Sequence, residues 1–277
     1  MDLASEIRED VERALHEDVG TGDITANLIP ASETAQARVV TREAAVLSGA
    51  AWFEECFHQI DREVEVHWSA RDGDRLVAGQ VVCEIDGLAR SLLTGERSSL
   101  NFLQTLSAVA TATRAFVDAV AGTNAAILDT RKTLPGLRSA LKYAVRCGGG
   151  TNHRMGLYDG VLIKENHITS AGGIGPALDQ ARKIAPDIVM QIEVENIGQL
   201  QEAIAAGAKL ILLDNFDIAR LREAVRVTAG RAALEASGGI NLQTVRAVAE
   251  TGVDRISIGS LTKNIRAIDL SMRFVAV

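Results

Sequence analysis

No lysine occurs before Lys132, so every basic residue in the first 131 positions is an arginine or a histidine. A high arginine share can simply reflect GC-rich coding, but the absence also excludes a function. The hairpin-like segment GDRLVAGQVVCEI (73–85) cannot serve as a biotinyl or lipoyl carrier arm, because no lysine is available at its turns. Cysteine is equally scarce. Cys56, Cys83 and Cys147 are three in number, far apart and without a CxxC pair, which excludes a zinc or disulfide framework and reads as reduced thiols. Basic charge is not in excess: 29 Lys+Arg stand against 36 Asp+Glu, a net charge of −7. A continuous basic face for a phosphate backbone is therefore not expected, and neither is a nucleic-acid partner. No apolar run approaches the roughly 20 residues that span a bilayer. The opening stretch, MDLASEIREDVERALHEDVG, is a charged amphipathic helix with no signal core, so a cytoplasmic location and no membrane partner are expected.

Positive charge is in local excess along one stretch. Positions 128–167 hold seven Lys/Arg (Arg131, Lys132, Arg138, Lys142, Arg146, Arg154, Lys164) against three acids, Asp129, Asp159 and Glu165. A basic island in an acidic chain points to a confined anion site, not a broad polyanion surface. The Arg131-Lys132 and His153-Arg154 doublets, with Lys164, are the donors that would hold a small anion. A solvated basic loop is the competing reading. It is weakened because Lys164 ends an apolar strand and His153 follows the glycine triplet 148–150. His167 fits helix capping as well as ligand contact.

The chain length suits one large domain or one barrel plus a smaller module, and the 47% hydrophobic content is ordinary for a folded globular chain. Positions 1–30 read as a helix followed by a turn-rich loop, in which Asp18 and Asp23 are turn residues. Alternation predicts strands within 35–47 and 64–86, with a helix over 50–60 between them and one or two long helices over 91–121. From position 125 short apolar runs recur (AAILDT, DGVLIKE, DIVMQIEVE, AKLILLDN, AALEASGG, DRISIGS), with helices expected over 136–147, 174–185, 197–206, 217–229 and 241–251. About six β/α repeats imply a parallel sheet, most often closed into a TIM-like barrel, although repeats alone leave an open doubly wound sheet possible.

Polar residues stand at the carboxyl ends of these strands, where barrel enzymes place their chemistry. Glu193 and Asp214 interrupt apolar strands; they are either paired structural carboxylates or oxygen ligands for Mg²⁺ and sugar hydroxyls. Ser237-Gly238-Gly239 and Gly259-Ser260 close the last two strands and can present backbone N–H groups to a phosphate, although glycine is also common at tight turns. Arg97 alone would be a surface charge. A Schiff-base aldolase using Lys164 and a non-catalytic phosphate-binding protein are the competing functions these residues leave open.

The segments EDVGTGDIT, LTGERSSLNFLQTLSAVAT, ILDTRKTLPGLR, KYAVRCGGGTNHRMGLYDGVLIKENHI, IEVEN, LLDN, LEASGGI and SIGSLTK occur in that order from position 17 onward. Together they resemble the quinolinate phosphoribosyltransferase family, the carboxylating nicotinate-nucleotide pyrophosphorylases. The resemblance implies an α/β fold: an N-terminal α/β sandwich (1–106) to which the tail (266–277) returns, and an incomplete α/β barrel (107–265). It implies a Mg²⁺-dependent transfer of a phosphoribosyl group from PRPP to quinolinate, releasing pyrophosphate and CO₂. It assigns Arg131, Lys132, His153, Arg154 and Lys164 to quinolinate's carboxylates and the diphosphate, and makes Lys132, Lys164, Glu193 and Asp214 the catalytic residues. Glu193 and Asp214 fall to the ribose hydroxyls and Mg²⁺, and Ser237, Gly238, Gly239, Gly259 and Ser260 to the 5-phosphate. It makes the enzyme a homodimer, or a higher homo-oligomer, with Arg97 reaching the partner's site. A paralogue of the same fold acting on another acceptor is the alternative. Asn264 departs from the histidine that many relatives carry after LTK.

Overall fold

Trp52, Phe53, Cys56 and Phe57 recur at helical spacing and form the buried face of a helix over Ala50–Ile60. It is the second helix, α2, after α1 (Leu3–Asp18). The computed structural model describes residues 2–275, and its chain contacts divide into two units. One comprises Met1–Arg114, Thr133–Gly149 and Leu261–Val277; the other comprises Ala115–Lys132 and Gly150–Ser260.

In the first unit, β1 (Thr34–Thr41), β3 (Glu65–Trp68) and β5 (Val81–Leu88) join the last strand, β12 (Leu270–Phe274), in an antiparallel sheet of order β12-β1-β5-β3. The returning tail is fixed by register, with Val39 opposite Met272 and Thr41 opposite Leu270; Ala276 and Val277 lie outside the described residues. The expected strand over 35–47 divides, because Thr41 Oγ1 donates to Glu43 O and turns the chain. The remainder, β2 (Ala45–Val46), pairs with β4 (Arg75–Leu76). The sheet's apolar face packs on Phe53, Phe57, Leu92, Leu100 and Leu103.

The stretch expected as one or two helices is a single 31-residue helix, α3 (Ala89–Ala119). Gly95 sits in its interior for a packing reason: a Cβ there would lie 2.6 Å from Phe57 Cε1. The helix α4 (Arg138–Cys147) belongs to the same unit and buries Ala140, Leu141, Ala144 and Val145 against Val11, Trp52 and Leu106.

The second unit holds six parallel strands: β6 (Ala126–Leu128), β7 (Val161–Ile163), β8 (Met190–Val194), β9 (Leu210–Asp214), β10 (Ala233–Ser237) and β11 (Arg255–Ser257). Their order is β6-β11-β10-β9-β8-β7. From β7 to β11 the chain adds neighbours in one direction, and β6 lies beside β11. A doubly wound sheet would reverse direction at an internal switch point, so this order is that of a barrel. Closure is incomplete among the described residues: β6 and β7 do not pair, and Leu128 meets Thr151 in a single isolated bridge.

The connecting helices are α6 (Ile174–Ile184), α7 (Ile197–Ala205), α8 (Ile218–Thr228) and α9 (Val245–Ala249), with a short α5 (Glu165–Ala171) that the periodicity did not announce. Asn196 and Asp217 cap α7 and α8 by accepting from Gln199 N and Arg220 N. The last helix is shorter than the expected 241–251. Asn241 Oδ1 accepts from the N–H groups of Gln243 and Thr244 and holds a turn there.

Candidate active site

Side chains alternate along a strand, so residues two apart on β8, β9 and β10 share the barrel interior. Register stacks them: Leu162 lies beside Gln191, Glu193 beside Leu212, Leu212 beside Glu235, and Asp214 beside Ser237. At this end of the second unit a cavity of about 160 Å³ opens, lined by Thr130, Arg131, Lys132, His153, Arg154, Leu162, Lys164, Glu193, Leu212, Glu235, Ser237 and Ser257. The structure thus brings together Arg131, Lys132, His153, Arg154 and Lys164, the five residues of the two doublets and Lys164 singled out as anion donors. A larger hollow of about 740 Å³ in the first unit, lined by Arg8, Glu12, Glu55, His58, Gln59 and Arg62, mixes both signs and contains none of the anticipated residues.

Arg154 and Lys164 are held by specific contacts. Arg154 Nη1 donates to Gly160 O at 2.8 Å, and the loop carrying it is turned by Asp159, which accepts from Met155 N and Gly156 N. Burial, then the neighbouring Arg131 cation, press the Arg154 guanidinium below its ordinary value. Like charges crowded in this way favour an anion between them. Lys164 follows β7 directly, and its Nζ is ion-paired with Glu193. Its backbone N–H donates to His167 Nδ1 at 3.0 Å, so His167 caps α5.

On the acidic side, burial first and the Glu193 carboxylate second raise the Asp214 carboxyl above its ordinary value, while Lys164 and Lys132 pull it back. Asn215, next in the chain, adopts φ +56°, and its N–H donates to Ser237 O at 2.9 Å. Gly238 lies against it at φ +109°, where a Cβ would come within 2.1 Å of Asn215 Oδ1. Gly239 follows at φ +61°. A Cβ on Gly259 would meet Lys132 Cδ at 3.2 Å, which places that glycine against the cation wall, with the half-buried Ser260 next in the chain.

Some anticipated residues lie elsewhere. Arg97 is exposed on α3 within the first unit, as is Asn264 in a turn of that unit. Asp23 serves as a turn residue, accepting from Ala26 N and Thr94 Oγ1. Sequence reasoning overlooked Gln191 and Glu235, both buried. The available signal was position: each stands two residues before a polar strand-end residue and so points the same way. Asp129, fully buried, accepts from His153 N at 2.8 Å and orients the His153-Arg154 doublet.

Two family models match, the N-terminal domain of quinolinate phosphoribosyl transferase over residues 23–107 and its C-terminal domain over residues 109–273. The chain belongs to the quinolinate phosphoribosyltransferase family. It is 44% identical over 257 residues to a probable carboxylating nicotinate-nucleotide pyrophosphorylase of Bacillus subtilis, covering 92% of this chain and 89% of that one. It is 42% identical over 274 residues to the Mycobacterium leprae enzyme, covering 96% of each. A solved nicotinate-nucleotide pyrophosphorylase from Francisella tularensis matches with a TM-score of 0.94 at 43% identity, over 98% of this chain and 97% of that one. The incomplete barrel and the returning tail are therefore features of the quinolinate phosphoribosyltransferase fold. No helix among the described residues is long and apolar enough to cross a membrane.

Proposed function

We propose that this member of the family joins quinolinate to the phosphoribosyl group of PRPP and decarboxylates the product to nicotinate mononucleotide, as a cytoplasmic homodimer. The observation that carries this reading is the wall of Arg131, Lys132, Arg154 and Lys164 standing in one cavity with Glu193. Two polyanionic substrates repel one another, and in a low-dielectric site that repulsion must be offset by fixed cations. The cationic wall takes the substrate carboxylates and the diphosphate, and orients the pyridine nitrogen toward C1 of the sugar. The nitrogen bonds C1 as the C1–O bond to diphosphate breaks. Glu193 and Asp214 face the electron-poor sugar. The C2 carboxylate then leaves as CO₂, its bonding pair remains on the ring beside the cationic nitrogen, and a proton is taken up at C2. The backbone at Ser237, Gly238, Gly239, Gly259 and Ser260 receives the 5-phosphate.

Mg²⁺ fits the donor set in a limited way. Among the described residues no group of three or more His, Cys, Asp or Glu is arranged to hold a metal. Glu193 and Asp214 offer two hard carboxylates, and Mg²⁺ is commonly held by one or two carboxylates together with substrate phosphates and water. Bound there, it would neutralise charge on the departing diphosphate.

Quinolinate-dependent release of pyrophosphate and CO₂ tests the reaction; no turnover with quinolinate would overturn it. Arg97 is assigned to the partner's site. Mixing Arg97→Ala subunits with Lys132→Ala subunits should restore activity in the mixed dimers, and a mixture as inactive as its parents would remove the shared site.

A further inference from the structure

His153 is tied into a hydrogen-bonded chain that the reaction as described does not use. Arg154 N–H donates to His153 Nδ1 at 2.8 Å. His153 Nε2 lies 2.9 Å from Gln191 Oε1, and Gln191 Nε2 donates to Glu235 Oε2 at 3.0 Å. A backbone N–H can only donate, so Nδ1 accepts and the proton of the neutral ring sits on Nε2. Every bond then points the same way, from Arg154 N–H through the imidazole and the Gln191 amide to the Glu235 carboxylate.

Glu235 itself is fully buried at the base of the cavity. Its Oε1 has no hydrogen-bond partner and lies 3.7 Å from His153 Nε2. A carboxylate in such a place is costly unless something nearby makes use of it. Simple packing would be served by an apolar residue, as at Leu212, which stands beside it in register and lines the same cavity.

We propose that Glu235 is a positioning residue that acts through Gln191. By accepting from Gln191 Nε2, it holds the Gln191 amide so that its oxygen faces His153. This reinforces the Nε2–H tautomer that the Arg154 N–H requires, with Nδ1 accepting from that N–H. Two members of the anion-binding wall are thereby set by one buried carboxylate, in the manner of partners that orient a ligating histidine from behind. In Glu235→Gln an amide can present an N–H where only oxygens stood. The Gln191 amide is then no longer held in one orientation; inverted, it donates to Nε2 and favours the Nδ1–H tautomer at the expense of the Arg154 N–H bond.

The kinetic arm of the test rests on the proposed quinolinate reaction; the spectroscopic arm does not. In ¹⁵N-histidine-labelled protein at neutral pH, the His153 resonances, identified by their loss in His153→Asn, should show Nε2 protonated and Nδ1 bare. Glu235→Gln should convert them to a tautomer mixture. An Nδ1–H ring in the unsubstituted protein, or an unchanged ring in the variant, would overturn the proposal even if quinolinate proved not to be the substrate. Kinetically, Glu235→Gln should raise KM for quinolinate roughly tenfold, within the range that coupled neighbours show, and this penalty should vanish in a His153→Asn background. An equal penalty in both backgrounds would mean that Glu235 merely stabilises the barrel. If Glu235→Gln does not fold, Gln191→Leu breaks the same chain and is read by the same two measurements.

Discussion

In the sheet unit, the interior around Phe53, Phe57, Leu92, Leu103 and Met272 is apolar throughout its cluster, whereas the barrel unit buries Asp129, Gln191 and Glu235. The first arrangement, the apolar cluster, gains stability from burial alone, although the same unit also buries Asp10, Thr41, Ser48 and Lys142 outside that cluster. The second spends buried volume on polar groups whose bonds converge on the His153-Arg154 doublet. Substitutions in the two regions should accordingly be felt in different measurements: melting temperature for the first, substrate parameters for the second.

The largest effect that would sharpen this contrast is a cavity in the apolar cluster. Phe53 is fully buried, with edge-to-face contacts to Phe57 at 5.2 Å and Trp68 at 5.4 Å between ring centroids. Phe53→Ala should cost about 3–5 kcal/mol, read by calorimetry as a fall in Tm on the order of 10 °C. The folded fraction should keep its KM values. A shift in KM for PRPP would show that the cluster and the site are not separable.

The converse change is Gly238→Ala. The residue is at φ +109° against Asn215, so an alanine both strains the backbone and collides with the Asn215 side chain. Strain of that kind is about 1–3 kcal/mol, and if it is relieved by moving the turn, KM for PRPP should rise roughly 10-fold to 100-fold. Tm should move little, because the turn lies at the strand end. A large loss of Tm with intact KM would invert the comparison.

The contrast also explains what the sequence made legible. Apolar strand runs announced the barrel repeats, and the cations stood out because the rest of the chain is acidic. Positions such as Arg131 and Lys164 follow strands, where polar residues break the pattern visibly. Gln191 and Glu235 were hidden inside strands, where a single polar residue looks like noise in an apolar run; only the two-residue periodicity from Glu193 and Ser237 marks them. His167 read equally well as a cap and as a ligand, since one histidine at the third position of a helix supports both until its Nδ1 is seen accepting from Lys164 N–H. The helix α5 was missed for a related reason: seven residues are too few to show a period.

The smallest expected effect tests whether the barrel's charge is held against stability. Burial, and then Glu193, raise the Asp214 carboxyl above its unfolded value of 3.8. A carboxyl whose folded value is raised binds its proton more tightly in the folded state. Its favourable contribution is therefore full below the unfolded value and is lost as pH rises through the folded one. At neutral pH the ionised Asp214 is a liability that function retains. Asp214→Asn keeps the shape and removes the charge, so turnover should be lost while Tm at neutral pH rises by on the order of 1–2 °C. Lowering the pH below 3.8 should erase that gain, because Asp214 is then protonated whether folded or not. A lower Tm for Asp214→Asn at neutral pH would mean that the attraction of Lys164 and Lys132 outweighs burial. The barrel mouth would then be stabilised by the same charges that bind the substrate, and its contrast with the sheet unit would narrow to the nature of the buried groups alone.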